Sequence, residues 1–214
     1  MLGVHVTVPI ACFRKGMARE YLETEPIPPP ATCYGFLLSL VGEVDRKRHS
    51  GVRVTPVLVG KPDKSVVLRT VWRVKNRPRG AAGNTRPDYQ QLLTGVELVV
   101  WLDSAEEISD TPNLEERVAQ SLDPNRRGRV DRFGGLSLGE STHLVDQVYT
   151  FDGDRDHEGR AFLLAPQGRL TLPVWVDHVG SAGTRFVTGD LELTTLEPPE
   201  VNRIPRIEPK EAQP

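Results

Sequence analysis

Apolar and polar residues alternate from Val4 to Phe13. Val4, Val6, Val8, Ile10 and Cys12 fall on one side, with His5, Thr7, Pro9 and Ala11 on the other, the period of a half-buried strand. Pro9 has no amide to give to a ladder, which places the strand at an edge or a bulge. A polar loop follows from Arg14 to Glu25, and then three prolines, Pro28 to Pro30, hold the chain extended. Pro30 with Thr32 opens a helix, because an N-terminal turn tolerates a missing N–H. Tyr34, Leu37, Leu38 and Val41 keep helical spacing on one face before Gly42 and Glu43 cut the run short.

Strand-like runs come next at Val52 to Val59, Val66 to Lys75 and Val96 to Leu102, with a short helix around Asn113 to Leu122 after Pro112. The order to this point is β-α-β-β-β-α. The remainder reads as strands at Val130 to Phe133, His143 to Phe151, Ala161 to Leu164, Leu170 to His178 and Thr184 to Thr195, separated by glycine-bearing turns. The tail after Glu197 is rich in proline and charge and orders only if something holds it. With no repeat, heptad or long low-complexity tract, the pattern implies an α+β sheet domain.

At 214 residues the chain is long enough to bury a core as one compact unit. Its 27 basic and 29 acidic residues leave a net charge of −2, so the totals suggest neither a histone-like nor a membrane-coating protein. Cys12 and Cys33 stand alone, with no secretory segment before them, which points to a reducing interior and the cytoplasm. No stretch approaches the roughly 20 apolar residues of a membrane helix, and a soluble protein is expected.

The distribution of charge is less even. Between Lys61 and Gln90, eight basic residues (Lys61, Lys64, Arg69, Arg73, Lys75, Arg77, Arg79 and Arg86) meet only Asp63 and Asp88, a local charge of +6. Between Gln91 and Asn125, eight acidic residues meet only Arg117, giving −7. The strand period puts Val66, Leu68, Thr70, Trp72 and Val74 on one face, read as buried, and Arg69, Arg73, Lys75 and Arg77 on the other. The stripe runs into "NRPRGAAGNTRPDY", whose glycines and prolines suit a long exposed hairpin tip, a finger able to lie across a phosphate backbone. Arg14, Lys15 and Arg19 in "FRKGMARE" form a second basic loop, which either contacts phosphate or sits in water.

Catalytic signatures are weak. Gly135 to Gly139 matches G-x-S-x-G and is followed by Asp177 and His178, but a hydrolase elbow needs a helix after it, where Ser141 to Phe151 alternates as a strand. "DGDRDHEG" opens like a calcium loop yet has His157 and Leu163 where glycine and glutamate belong. The five histidines have no metal-ligand spacing, so neither a metal site nor a cofactor is expected. "RFGGLSLGES" lacks a Walker lysine, although its glycines permit close approach of a backbone.

Five stretches taken together, "PIACFRKGMARE", "PPPATCYGFLLSLVGE", "LRTVWRVKNRPRG", "FGGLSLGES" and "LPVWVDHVGSAGTRF", reach from about Val4 to Phe186. They resemble the fifth family of CRISPR-associated proteins, the RAMP-type subunit that caps one end of type I Cascade complexes, most closely its Myxan-type branch. The proline-led helix is the most specific of them, and its part is architectural, with Tyr34 and Trp72 read as core residues. The resemblance implies a ferredoxin-like, RRM-related domain over residues 1–125 with a protruding thumb at about 76–89, a smaller C-terminal β part over 126–197, and a proline-rich tail over 198–214.

It also implies a non-catalytic RNA-binding subunit that holds the 5′ handle of the crRNA and contacts the backbone and large subunits, meeting target DNA through the complex. Carried onto this sequence, Arg14, Lys15 and Arg19 approach the handle, while Arg69, Arg73, Lys75 and Arg77, with Arg79 and Arg86 of the finger, approach the guide. Gly134, Gly135 and Ser141 make a close backbone contact. Two alternatives stand beside this: a metal-independent endoribonuclease that processes precursor crRNA, as in one branch of the family, and a protein-interaction module whose basic finger meets acidic protein.

Overall fold

The alternating run at the N-terminus becomes β1 (Leu2–Ala11), which pairs antiparallel with β5 (Thr85–Asp103) from Leu2 opposite Leu102 to Ala11 opposite Leu93. On its other edge β5 pairs antiparallel with β3 (Arg53–Val59). The computed structural model describes every residue except 17, 19–20, 73–80, 82–83, 109–111, 127, 129, 154–155 and 210–214, and of Trp72 only the backbone. Two strands use the part of β5 that extends past this centre: β2 (Tyr21–Leu22) lies parallel to it, and β4 (Asp63–Trp72) antiparallel. β6 (Gln147–Thr150) pairs with β1. β7 (Glu158–Leu164) pairs with β3, β9 (Arg185–Thr195) with β7, and β8 (Leu170–Trp175) with β9. The result is an α+β chain on a nine-stranded, mostly antiparallel sheet of order β6-β1-β5-β3-β7-β9-β8.

Among the described residues, two α-helices serve this sheet. α1 (Pro30–Leu40) begins with Pro30 at its first turn, and Cys33, Tyr34, Phe36, Leu37, Leu38 and Leu40 are buried. They join Val4, Val6, Val8, Leu98, Val100 and Leu102 in the larger core, each buried aliphatic side chain contributing roughly 1.5–3 kcal/mol. α2 (Leu114–Leu122) starts at a capping box, in which the Asn113 side chain accepts the Glu116 amide at 2.8 Å and the Glu116 side chain accepts the Asn113 amide at 3.1 Å. The opposite face of the sheet carries a smaller cluster, including Val57, Val99, Trp101, Phe151 and Leu163. No described helix is long and apolar enough to cross a membrane.

The proline-led motif explains itself locally. Tyr34 packs on Trp175 with ring centroids 6.4 Å apart, and its hydroxyl donates to the Arg46 carbonyl at 2.7 Å. Arg46 in turn lies 4.7 Å over the Trp175 ring. Gly42, at φ +70°, ends the helix, and a Cβ there would stand 2.0 Å from the Asp131 carbonyl oxygen, so only glycine lets that segment pass. Glu43 accepts Arg117 at 2.5 Å and Arg48 at 3.3 Å.

The tail is held. The Gly51 amide donates to the Ile207 carbonyl, the Ile207 amide to Val52 and the Val54 amide to Pro205, at 2.8, 2.8 and 3.0 Å. Ile204 and Ile207 are fully buried.

β1 is covered by β6 only from Val4 to Thr7; Pro9 lies beyond that cover, facing Gly95 (φ +70°) at a gap in the ladder, so the edge or bulge expected of it is local to that end of the strand. Several expectations need correction. Val130 to Phe133 forms no strand, and only Gln147–Thr150 of the His143 to Phe151 run does. Thr85 to Tyr89, expected in a loop, belongs to the 19-residue β5. On β4 the face read as buried is the open one, since Val66 and Leu68 are exposed while Val67, Arg69 and Val71 are half covered.

Candidate functional site

The end of β1, the base of the β4–β5 arm and the glycine-bearing loop meet at His143. Its Nδ1 accepts the Cys12 amide at 3.1 Å and the Glu140 amide at 3.2 Å. A nitrogen accepting two N–H groups carries no proton, so the ring is neutral with its proton on Nε2. Burial holds its pKa below the ordinary value, outweighing the nearby Glu140 carboxylate. Gly139, at φ +102°, comes so near that a Cβ would lie 2.8 Å from the Cys12 carbonyl oxygen. From β5, Gln90 donates to the Glu140 carboxylate at 3.0 Å.

The loop itself is a small hairpin: Leu138 donates to His143, and Val145 to Leu136, at 3.1 and 2.9 Å. Ser141 is exposed at its turn, beside Glu140. Gly134 and Gly135 precede the hairpin and are also exposed, Gly134 at φ +81°.

The arm contributes Arg69, opposite Asp88 in the register and bonded to it at 3.3 Å. Arg86 stands opposite Val71, two residues from Asp88, so Arg69, Arg86 and Gln90 share the face turned toward the glycine-bearing loop. Residues 12–14 and 24 fold against the same base. Phe13 donates to Thr24 Oγ1 at 2.9 Å, Arg14 bridges to Thr24, and the Thr24 amide donates to Gln91 Oε1 at 3.1 Å. Arg14 is exposed and donates to the Ala18 carbonyl at 2.8 Å, while the Lys15 ammonium lies 3.5 Å from Glu23.

Of the residues singled out from the sequence, Arg14, Lys15, Arg69, Arg86 and Ser141 are thus gathered around one junction. Gly134 and Gly135 lie just upstream of it. Arg19, Arg73, Lys75, Arg77 and Arg79 lie outside the described residues, as does the Trp72 side chain. Sequence reasoning missed His143 and Gln90, which organise the junction, and Tyr21, Tyr89 and Phe133, which are exposed. Phe133, flanked by Arg132 and two glycines, carried a usable signal; His143 sits in an alternating run and carried none.

The junction offers cationic side chains, the means to hold an anion. Cys12 is buried and its thiol pKa is raised by that burial. Ser137 bridges Leu144 in the loop and no helix follows it. The Asp177 carboxylate accepts the Val179, Gly180 and Gly183 amides, which hold its pKa down and leave it closing its own turn. Among the described residues, no group of three or more His, Cys, Asp and Glu could hold a metal ion.

No protein-family model matches the chain. It is similar to the CRISPR-associated protein Cas5 of Myxococcus xanthus (strain DK1622), at 53% identity over 210 residues and 97% of each chain. Among solved structures, a chain of a CRISPR RNA-guided surveillance complex superposes with a TM-score of 0.59 at 12% identity, over 90% of this chain and 89% of the other. A Cas protein crystal structure gives 0.51 at 16% identity, over 91% and 94%. The two superpositions speak to the fold, whereas identity above one half along nearly the full length speaks to descent, and by that measure the chain belongs to the Cas5 family of CRISPR-associated proteins.

Proposed function

We propose that the chain is the non-catalytic RNA-binding subunit that caps a type I Cascade effector at the 5′ handle of its crRNA. In this role it works in the cytoplasm, contacts the backbone and large subunits, and reaches target DNA through the complex. Family membership supports a place in a Cascade-type assembly. The observation that carries the RNA role is the junction at His143, where the loop of Arg14 and Lys15, the arm of Arg69 and Arg86, and the glycine-bearing loop are locked to one another.

The fold supports the same reading. Strands β6, β1, β5 and β3 in that order, all antiparallel, with α1 between β1 and β3 and α2 between β5 and β6, are the arrangement of a ferredoxin-like domain. The β4–β5 arm, paired from Asp63–Thr94 out to Trp72–Thr85, is the base of a thumb. A non-catalytic role fits three of the five histidines: His5, His49 and His143 are buried and bonded to Glu97, Glu107 and backbone amides.

The test is binding of the chain, in complex with its backbone subunit, to a labelled repeat-derived 5′ handle and a scrambled RNA across a salt series. The Arg73→Ala/Arg77→Ala variant runs in parallel. Handle-selective binding is expected, weaker in the variant, with the salt slope shallower by about 0.7 for each phosphate that the two arginines neutralise. Cleaved RNA would make the chain a processing ribonuclease instead, and a complex that forms without RNA would make it a protein-interaction module.

A further inference from the structure

The arm has a second face, turned away from the junction. Leu68 of β4 stands opposite Tyr89 of β5, and Tyr89 opposite Tyr21 of β2, so three strands set one side chain each in a single row. Leu68, Tyr89 and Tyr21 are 62%, 49% and 42% exposed. The tyrosine rings have centroids 6.3 Å apart and planes at 51°.

The row is held in place. Gln91, buried and next to Tyr89 on the same face of β5, donates through Nε2 to the Tyr21 hydroxyl at 3.1 Å while its Oε1 accepts the Thr24 amide at 3.1 Å. Tyr21 is therefore tethered at its polar tip with its ring left open, an ordered aromatic surface rather than a side chain loose in water. One cation shares its face: Lys64 lies two pleats from Leu68 on β4 and is exposed.

We infer that Tyr21 and Tyr89 form a stacking platform for two unpaired bases of single-stranded RNA, with Leu68 extending its apolar floor. The inference rests on the handle-binding role proposed above and adds where on the chain the bases lie. Aromatic rings stack on any base, and basic side chains beside them take up the phosphates, the pairing used by surfaces that bind single strands. A protein hot spot sits in a well-packed pocket near the centre of a broad interface; this surface is one row of side chains on an open strand face, with Lys64 on the same face.

The experiment uses the complex with the backbone subunit and handle RNA carrying 2-aminopurine at successive positions. Tyr89→Phe keeps the ring, whereas Tyr89→Leu and Tyr21→Leu keep apolar bulk and lose the stacking surface. The Phe variant is expected to bind as the unsubstituted chain does. Each Leu variant should lose roughly five- to 150-fold in affinity and relieve the 2-aminopurine quenching at one position, with the salt slope unchanged because no charge is removed. Thermal midpoints establish that the variants fold. Leu variants with full affinity and full quenching would overturn the platform and leave handle binding standing. Leu variants that bind RNA normally but shed the backbone subunit would overturn it in favour of a protein contact. Failure of the unsubstituted complex to retain RNA would remove both the platform and the role on which it rests.

Discussion

Cys12 and His143, 131 residues apart in sequence, are joined by a buried hydrogen bond of 3.1 Å from the Cys12 amide to the imidazole Nδ1. Protonation would put a proton where two amides point, so the neutral ring is the one that fits. With its pKa depressed in the folded chain, His143 contributes stability that is full above the ordinary histidine value of about 6.5 and is lost as pH falls toward the folded value. The urea midpoint is expected to be lower at pH 5.5 than at pH 7.5. In His143→Gln, whose amide oxygen can still accept, the drop should be smaller; an equal drop would assign it to other groups.

A second histidine is set by its neighbours. Arg117 donates to His49 Nε2 at 2.7 Å and to Glu43 at 2.5 Å, and since a guanidinium has no acceptor, His49 carries its proton on Nδ1 and gives it to Glu107 at 2.5 Å. Burial pushes the Glu43 pKa up, but the bonds from Arg117 and the Asp45 amide, with Arg48, outweigh it and leave it below the usual carboxylate range. Arg117→Met is expected to cost about 1.5–3 kcal/mol, the worth of a hydrogen bond to a charged group, because Glu43 then keeps only Arg48 and the Asp45 amide. Glu43→Gln combined with Arg117→Met should recover part of that loss in urea denaturation.

Gly42→Ala is expected to destabilise the chain, since its Cβ would collide with the Asp131 carbonyl and the backbone would still need a positive φ. Faster amide exchange around residues 131–136, with little change in β3, would locate the damage at that crossing. Uniform exchange would instead mean that the helix end itself had failed.

Ile207→Ala should cost about 2–5 kcal/mol, as for any fully buried isoleucine. Leu193→Ala, at an exposed position of β9, should stay within about 0.5 kcal/mol. Equal effects in thermal unfolding would mean that the tail is not part of the core.

Local chemistry made much of the fold legible. Pro30 and the spacing of Tyr34, Leu37 and Leu38 gave α1, Asn113 and Glu116 gave α2, and alternation gave the centre of the sheet. Burial of one strand face depends on what packs there, which is why Val66 and Leu68 stand on the open side against expectation: period two sorts residues onto faces without saying which face is covered. Arg14, Lys15 and Arg69 were visible as charge. Their grouping was not, because it depends on bonds from His143, Glu140 and Gln91 that join loops far apart in the chain. Tyr21 and Tyr89 lay in stretches read as polar loops, where a lone tyrosine draws no notice.

The hold of the tail on β3 bears on how the protein is made. Ile204 and Ile207 add to a core whose first strand begins at Leu2, so its last apolar contacts form only once synthesis has reached Ile207. Until then the part of the core beside β3 that they cover stays open to water.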